Sequence, residues 1–490
     1  MASEETPLLG LALLDHSRIY DRFSPWEKRG ILALVSFSGL IPFLVSGTFI
    51  PAIPQIAHDL STTPETVGLT ISLSIFGAAI GSMAMATYSG FYGRRPLYLA
   101  GLPLFCLGSY QIAVAHNIYH LVAWRFVQNV GVSGGMSLGA GVIGDIYKLE
   151  ERGFAMGIFY GITLLGPALA PVTGGLATHY ASWRALQWVF LVYGLMLFAS
   201  IALWLPETSH PGTLGAEKQQ REAQDMPGAP PRQIDRLGWV WLNPLSCMAL
   251  LRSPNLLLVM LAGAATLLTD FVLLVPLAYT IGAKYGITNE ALIGAVFIPC
   301  GMGNIVGAPL AGFLSDRFIL ARAKHGRQQA NGGGGEEEIG AGAGVGWYPE
   351  DRLRATLVGA AVCVPLSVLL VGLTTTYVPG RTGLAMCLAW LFMNGLGVDM
   401  VLCPSAAYNV DVVHTRSAEI MAANNGARAL LISLLVPFIL PSITRFGILA
   451  TNAAAAAIAW GGLGLLLLTI HYGEQLRGWK DIGYSTASNN

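Results

Sequence analysis

Long apolar runs separated by short polar connections dominate the chain. A transmembrane helix needs about 20 consecutive apolar residues, and runs of about that length recur along almost the whole sequence. The runs, numbered span 1 to span 12, lie near 31–50, 67–88, 97–115, 118–140, 154–176, 185–205, 256–280, 290–314, 355–375, 384–405, 418–440 and 447–471. The pattern therefore predicts an all-α membrane protein with 12 transmembrane helices.

Polar segments divide these spans into two sets of six. The predicted units are an N-terminal tail at 1–30, a first half at 31–205, a central linker at 206–255, a second half at 256–471 and a C-terminal tail at 472–490. The glycine- and glutamate-rich stretch 331–346 cannot bury apolar area, so we expect a disordered insertion at about 322–347. In the linker, the Trp and Leu residues of 238–251 favour a short membrane-surface helix, with a plain tether as the alternative.

Composition and charge narrow the class of protein. Hydrophobic residues make up 53% of the chain and charged residues 11%, whereas soluble domains carry about 25% charged residues. An ordinary soluble enzyme is therefore excluded, and no nucleophile–base arrangement or cofactor motif indicates an enzyme. The 28 basic and 28 acidic residues balance, so no nucleic-acid partner is expected. Neither the six cysteines nor the histidines show metal-ligand spacing.

The basic residues predict the orientation in the membrane. With a cytosolic N-terminus, the inner segments hold 22 of the 28 Lys and Arg residues and the outer connections hold 4, as the positive-inside rule requires. We therefore expect both termini to be cytosolic. No long apolar run precedes Ile31, so a cleaved signal peptide is not expected. Glu4 and Leu8-Leu9 form an acidic dileucine pattern, which offers vacuolar or endosomal membranes as alternatives to the plasma membrane.

Four charged residues lie inside predicted spans and away from their first two positions, where charge is costly and marks ion or substrate sites. They are Arg125, Asp270, Asp399 and Arg428. Arg125 is expected to hold an anionic group or to shift the pKa of a nearby carboxylate, and a structural ion pair or hydrogen bonds to carbonyl oxygens are the alternatives. Gln128 shares its helix face. Asp399 lies nearer the cytosolic end of its span, and we expect it to snorkel or to pair.

Asp270 is the predicted proton carrier. Thr266 precedes it by one turn on the same face, and burial disfavours a charged carboxylate, so the group can load and release a proton. A hydrogen bond to Thr266 or neutralisation by an arginine are the alternatives. Asn424, Asn425 and Arg428 form a polar stripe on span 11, and Asn394 lies in span 10. Such buried amides also join helices without further function.

Several short motifs resemble one family of transporters. They are ATYSGFYGRRP at 86–96, GFLSDR at 312–317, RFVQNVGVSG at 125–134, GPALAPVTGG at 166–175, LPET at 205–208 and the stretch 408–428. From about residue 25 to 470 the chain resembles the major facilitator superfamily, and within it the fungal drug:proton antiporters similar to quinidine-resistance transporters. The resemblance implies two pseudo-symmetric six-helix halves with substrate bound between them at mid-membrane.

The resemblance also implies roles for two groups of residues. The expected conformational-switch residues are Gly93, Arg94, Arg95, Asp145, Glu151, Arg152, Asp316 and Arg317, and the expected antiporter-motif residues of span 5 are Gly166, Pro167, Pro171, Gly174 and Gly175. The motif at 86–96 corresponds to the first switch loop of the family and the motif at 312–317 to the second. Gly90 stands where the family has the aspartate of the first switch loop. We therefore expect Arg94 and Arg95 to pair with Asp145, Glu150 or Glu151 instead.

The expected function is proton-coupled export of small organic molecules, drugs or secondary metabolites. No phosphate-binding loop is present, so an ion gradient, with the proton as coupling ion and no cofactor, is the expected energy source. Export of a di- or tricarboxylic acid is the alternative, because two buried arginines could offset the desolvation of an anion. A non-transporting receptor or regulator is the alternative from another class. The expected partners are a small-molecule substrate and the lipid bilayer, with a monomeric protein in the plasma membrane.

Overall fold

The polypeptide forms helices joined by short connections. A computed structural model describes residues 22–147, 149–209, 214–216, 240–332, 349–413 and 417–479. These residues contain no β-strand, and the predicted all-α membrane class is confirmed. Ten of the described helical stretches are long and apolar enough to cross a membrane. Span 3 and a broken span 4 supply the other two crossings.

The first half contains spans 1 to 6. Their helices are Pro25–Gly47, Pro64–Tyr92, Arg94–Ala113, Ile118–Val132 with Gly134–Ile146, Leu149–Tyr180 and Trp183–Trp204. The helices begin before the apolar runs because polar caps start them. Ser24 and Glu27 form a capping box, and the Ser182 side chain accepts a hydrogen bond from the first turn of span 6. A short helix, Ile53–Asp59, follows span 1 and was not predicted.

The second half contains spans 7 to 12, and its helices are more often interrupted. A 3₁₀ turn at Ser246–Arg252 precedes span 7. The helices are Pro254–Leu274, Glu290–Val296 with Ile298–Gly332, Val364–Tyr377, Gly380–Val412, Ser417–Leu435 with Ile439–Phe446, and Ile448–Gly478. Prolines 437 and 441 accompany the interruption of span 11, since proline removes a backbone donor.

The start of the insertion predicted at about 322–347 overlaps a described helix. The second helix of span 8 includes residues up to Gly332, because Ala, Arg, Lys and Gln, which favour helix, follow the apolar run. Residues 333–348, most of the central linker and both chain ends lie outside the described residues.

The two halves meet along two seams. Span 2 packs on span 11, and span 5 packs on span 8. We call the side of the bundle where span 1 begins and span 12 ends the terminal side, and the other the distal side. One buried apolar cluster on the distal side combines residues of both halves, including Phe49, Ile53, Val272 and Phe297. The distal side is therefore closed.

The terminal side is organised differently. Its buried apolar residues form two clusters, one in each half, and Met83 of span 2 is the first-half residue that joins the second-half cluster. In span 5, a Cβ at Gly175 would collide with the backbone of Glu290 in span 8, whereas a Cβ at Gly157 or Gly161 would meet no described heavy atom within 4 Å. The seam between spans 5 and 8 is thus tight on the distal side and loose on the terminal side.

Candidate functional site

The first half contains a buried guanidinium without a carboxylate partner. The Arg125 side chain is fully buried, and its Nη1 donates hydrogen bonds to the Val45 carbonyl oxygen and to Gln128 Oε1, both at 3.1 Å. Its Nε and Nη2 are buried and have no hydrogen-bond partner. The guanidinium carbon lies 4.2 Å from the centre of the Phe49 ring, a cation–π contact. Among the described residues, no carboxylate forms an ion pair with Arg125.

Neutral amides surround this arginine. Gln128 Nε2 donates hydrogen bonds to Ser109 Oγ and to Gln187 Oε1, both at 2.9 Å. These contacts link spans 3, 4 and 6 and hold the Gln128 oxygen towards Arg125. Asn129 Nδ2 donates to the Arg125 carbonyl oxygen at 2.9 Å. Arg125 is therefore fixed by dipoles alone, which orient the guanidinium but leave its charge uncompensated.

The second half contains the predicted proton carrier. Asp270 Oδ1 accepts a hydrogen bond from the Cys300 thiol across 3.3 Å, which joins span 7 to span 8. The Thr266 side chain does not reach it, and instead the Thr266 carbonyl accepts a hydrogen bond from Thr269 Oγ1. No described Lys or Arg lies within ion-pair distance of Asp270. The two structural alternatives for this residue, a threonine bond and a permanent arginine partner, are thus not observed.

Asp399 of span 10 lies in the same region as Asp270. Its side chain is buried, with a relative exposure of 8%, and its Oδ2 has no hydrogen-bond partner. It interacts electrostatically with both Asp270 and Arg428. Of the two expectations for Asp399, the snorkelling position is not what the structure shows, because the residue is buried, and the interaction with Arg428 is in line with the pairing expectation.

The buried amides divide into two kinds. Asn394 Nδ2 donates to Thr269 Oγ1 at 3.2 Å and to Ser367 Oγ at 3.0 Å, and so joins spans 7, 9 and 10. Asn425 Oδ1 instead accepts a 2.9 Å hydrogen bond from Arg428 Nη2. Asn424 is buried and its Oδ1 has no partner. Asn394 therefore connects helices, and Asn425 orients a charge.

The first switch loop is held by carboxylates from elsewhere in the chain. Arg94 Nε lies 3.2 Å from Asp145 Oδ2, so the arginine pairs with one of its three expected partners. Glu207, just after span 6, accepts hydrogen bonds from the backbone N–H groups of Arg94 and Arg95 at 3.0 and 3.2 Å. A carboxylate at this helix N-terminus is favourable. Gly93 makes room for it, with a φ of 101° and no Cβ to meet the carboxylate.

The other expected switch residues take no part in an ion pair that the structure describes. Arg95 Nη2 donates to the Ala202 carbonyl oxygen at 2.8 Å, and Glu151 is exposed. In the second switch loop the Arg317 guanidinium lies over the Phe313 ring at 4.4 Å. The side chains of Arg152 and Asp316 lie outside the described residues.

The motif glycines of span 5 are packing positions. A Cβ at Gly174 would collide with the Thr48 backbone of span 1, and one at Gly166 with the Phe43 side chain. The Pro171 carbonyl oxygen lies where a Cβ on Gly294 of span 8 would be. The Ala168 backbone, next to Pro167, likewise leaves no room for a Cβ on Gly301 of span 8. The motif therefore brings span 5 against both halves at once.

The sequence does not indicate the roles of three residues in these clusters. Asp399 is an intramembrane candidate whose position along the span favours snorkelling or pairing, Glu207 is part of the LPET motif, and Cys300 is one of six cysteines without metal-ligand spacing. An intramembrane carboxylate is a signal in itself, and the LPET motif directly after a span could have indicated Glu207. No sequence signal singles out Cys300.

Comparison with known proteins gives one family and several fungal relatives. The family model described as Major Facilitator Superfamily matches residues 35–437. The Efflux pump radE of Floropilus chiversii is 27% identical over 463 residues, which cover 92% of this chain and 81% of that protein. Citrate exporter 1 of Aspergillus niger is 26% identical over 306 residues, or 60% of this chain and 58% of that protein.

A further relative shares a shorter region. The MFS antiporter QDR3 of Candida albicans is 33% identical over 178 residues, or 36% of this chain and 26% of that protein. The family match covers most of the chain, from within span 1 to within span 11. The protein is thus a multi-pass membrane transporter, not an enzyme, and it belongs to the Major Facilitator Superfamily.

Proposed function

We propose that the protein exports small organic molecules in exchange for protons and that Asp270 carries the proton. The observation that carries the proposal is a half-buried intramembrane carboxylate with a thiol as its hydrogen-bond partner and no basic side chain in ion-pair contact, among the described residues. Such a group is free to alternate between charged and neutral forms. A carboxylate held permanently by an arginine would not do this.

Substrate binds between the halves, near Arg125 and Gln128 on one side and the Asp270 region on the other. Because Arg125 has buried N–H groups without acceptors, a substrate oxygen placed there gains charge-assisted hydrogen bonds. This observation favours a second candidate, a cargo with a carboxylate group. The similarity to a citrate exporter is in line with it.

The transport direction follows from the proposed orientation. With both termini cytosolic, the distal side faces outwards and is closed, and the terminal side faces the cytosol. Substrate enters from the cytosol while Asp270 releases its proton there. Rocking of the halves about the seam between spans 5 and 8 then opens the distal side, where Asp270 is protonated and substrate leaves.

Reconstituted protein tests this scheme directly. Proteoliposomes are loaded at pH 5.5 and diluted to pH 7.5, so that proton exit drives substrate entry, with labelled quinidine and labelled citrate as the two probes. Gradient-dependent uptake of either probe, abolished by a protonophore, is expected. Binding of a probe without any flux would favour the receptor alternative, and flux that ignores the pH gradient would refute proton coupling.

We propose the plasma membrane as the location and a monomer as the working unit. The dileucine pattern at Leu8-Leu9 lies outside the described residues and is tested by imaging a C-terminal fluorescent fusion, with and without Leu8→Ala and Leu9→Ala. Surface staining of both is expected. An internal signal that moves to the surface only in the double variant would place the protein on an internal membrane.

A further inference from the structure

Asp399 and Arg428 complete a charged cluster around the proposed proton carrier. Asp270 comes from span 7, Asp399 from span 10 and Arg428 from span 11. A Cβ at Gly263 of span 7 would lie 3.4 Å from Arg428 Nη1 and 3.5 Å from the Leu402 side chain, so these three spans converge here. Span 8 also packs closely on span 10, since Gly395 has no room for a Cβ against the Cys300 carbonyl oxygen.

The cluster has unused hydrogen-bonding capacity. Asp399 Oδ2 is buried without a partner, and the side chain as a whole is more than nine-tenths buried. Arg428 gives one hydrogen bond to Asn425 and interacts with Asp399 electrostatically. A buried carboxylate oxygen without a donor is costly, unless a proton occupies the site for part of the cycle.

Among the described residues, the other titratable groups near the cluster are two cysteines and one tyrosine. Cys300 of span 8 faces both carboxylates, and Cys403 of span 10 faces Asp399 and Arg428. Tyr160 of span 5 faces Cys403. Thiols and phenols are neutral at physiological pH when buried, so the charge of the cluster is set by two carboxylates and one guanidinium.

We propose that Asp270 and Asp399 together form one site for a single proton, and that the positive charge of Arg428 sets the net charge of this site. This inference rests on the proposed function. With both carboxylates ionised the cluster carries one net negative charge, and uptake of one proton makes it neutral. A neutral cluster is far cheaper inside the membrane than a charged one. One proton per cycle is therefore favoured, and a second would leave Arg428 unbalanced.

The charge balance predicts opposite effects for two substitutions. Asp399→Asn leaves Asp270 and Arg428, whose charges cancel without a proton although they are not in ion-pair contact, so gradient-driven uptake should need a lower pH. Arg428→Gln leaves two carboxylates without a cation, so half-maximal uptake should move to higher pH. Neighbouring charges have effects of about one to three pH units, and about tenfold less uptake is expected for Asp399→Asn at the wild-type optimum.

The experiment measures the pH of half-maximal gradient-driven uptake in proteoliposomes, with whichever of quinidine or citrate the wild type transports. The variants are Asp399→Asn, Arg428→Gln and the double variant, which leaves Asp270 as the only charge and should return the midpoint towards the wild-type value. Glu474→Gln, an exposed carboxylate on span 12, is the matched control. Counterflow at fixed pH verifies that each variant is folded.

The outcomes separate the inference from the function on which it rests. Shifts of opposite sign in the two single variants support the shared site. A wild-type midpoint in Asp399→Asn, or a lower rate with an unchanged midpoint, would reduce Asp399 to a packing residue and overturn the inference. Wild-type gradient-driven uptake by Asp270→Asn would instead overturn Asp270 as carrier, whatever Asp399 does.

Discussion

The polar clusters of the two halves are opposites in charge balance. In the first half, Arg125 is fully buried and is held by amides and a carbonyl oxygen. In the second half, Asp399 interacts electrostatically with both Asp270 and Arg428, so the region holds two carboxylates and one guanidinium. The first-half cluster therefore has one uncompensated positive charge, and the second-half cluster has one uncompensated negative charge when both carboxylates are ionised. Two halves with the same helical plan thus offer complementary sites, and an exchanger of an organic molecule for a proton needs such a pair.

The difference also explains why the two sites need not touch. After the proton has left, the single negative charge of the second-half cluster offsets the positive charge of Arg125, so the state that carries an uncharged substrate is close to neutral inside the membrane.

The largest effect is expected from Asp270→Asn. The amide keeps the size of the side chain but cannot titrate, so gradient-driven uptake should fall to the level of empty liposomes. Substrate counterflow, which needs no proton exchange, should persist. The two fluxes are measured in the same proteoliposomes, with Glu474→Gln as the carboxylate-to-amide control on the surface. Uptake at the wild-type rate would remove Asp270 from the mechanism.

The next effect is expected from Arg125→Gln, which should reduce transport of the accepted substrate at least about tenfold while making the protein more stable. The charge of Arg125 is buried without a counter-ion, so its removal should raise the free energy of unfolding by about 1 kcal/mol. Thermal unfolding in detergent and uptake are both measured. Arg125→Lys should recover part of the transport, because an ammonium lacks the planar fork.

Arg445→Gln is the matched control for this prediction, because Arg445 is exposed at the end of span 11. It should change neither stability nor uptake. Lower stability of Arg125→Gln, together with lost transport, would mean that the guanidinium is a packing element and that the charge imbalance between the halves has no functional meaning.

The twelve spans and the four intramembrane charges could be predicted from sequence because both depend on local composition. The contacts between residues of different spans could not be predicted in this way. Asp399 and Asp270 are brought together by the packing of spans 7, 8 and 10, and nothing in the apolar pattern specifies which faces of these helices meet. The same holds for Glu207, which contacts a helix N-terminus more than 100 residues earlier.

Helix ends were predicted less well than helix existence. Polar caps and helix-forming residues extend spans 1, 8 and 10 beyond their apolar runs, and hydropathy does not detect such residues. Span 4 breaks at Ser133, before two glycines. The glycines of span 5 look alike in sequence, but among the described residues only Gly175 lies directly against the other half, whereas Gly166 and Gly174 lie against span 1.

Gln128→Glu tests the uncompensated charge of Arg125 by adding a counter-ion instead of removing the charge. Gln128 Oε1 already accepts a hydrogen bond from Arg125 Nη1 at 3.1 Å, so a glutamate there would give the arginine an internal counter-ion. Uptake of citrate, if it is the substrate, should fall about tenfold, since the site no longer lacks an anion. Uptake of quinidine should change far less. Equal losses for both probes would indicate that Gln128 only positions helices.

The smallest effect is expected from Asn394→Ala, which removes a connection between helices and leaves both charge clusters unchanged. Asn394 donates hydrogen bonds to Thr269 and Ser367, and such bonds inside membranes contribute about 0.6 kcal/mol each. Thermal stability should therefore fall slightly, while the pH of half-maximal uptake stays at the wild-type value. Asn394→Asp is the informative partner variant, because it adds a carboxylate next to Thr269, one residue from Asp270. If the second half is governed by its charge balance, this variant should move the midpoint to higher pH, as Arg428→Gln does. A shifted midpoint in Asn394→Ala, which changes no charge, would show that helix packing and not charge sets the pH dependence.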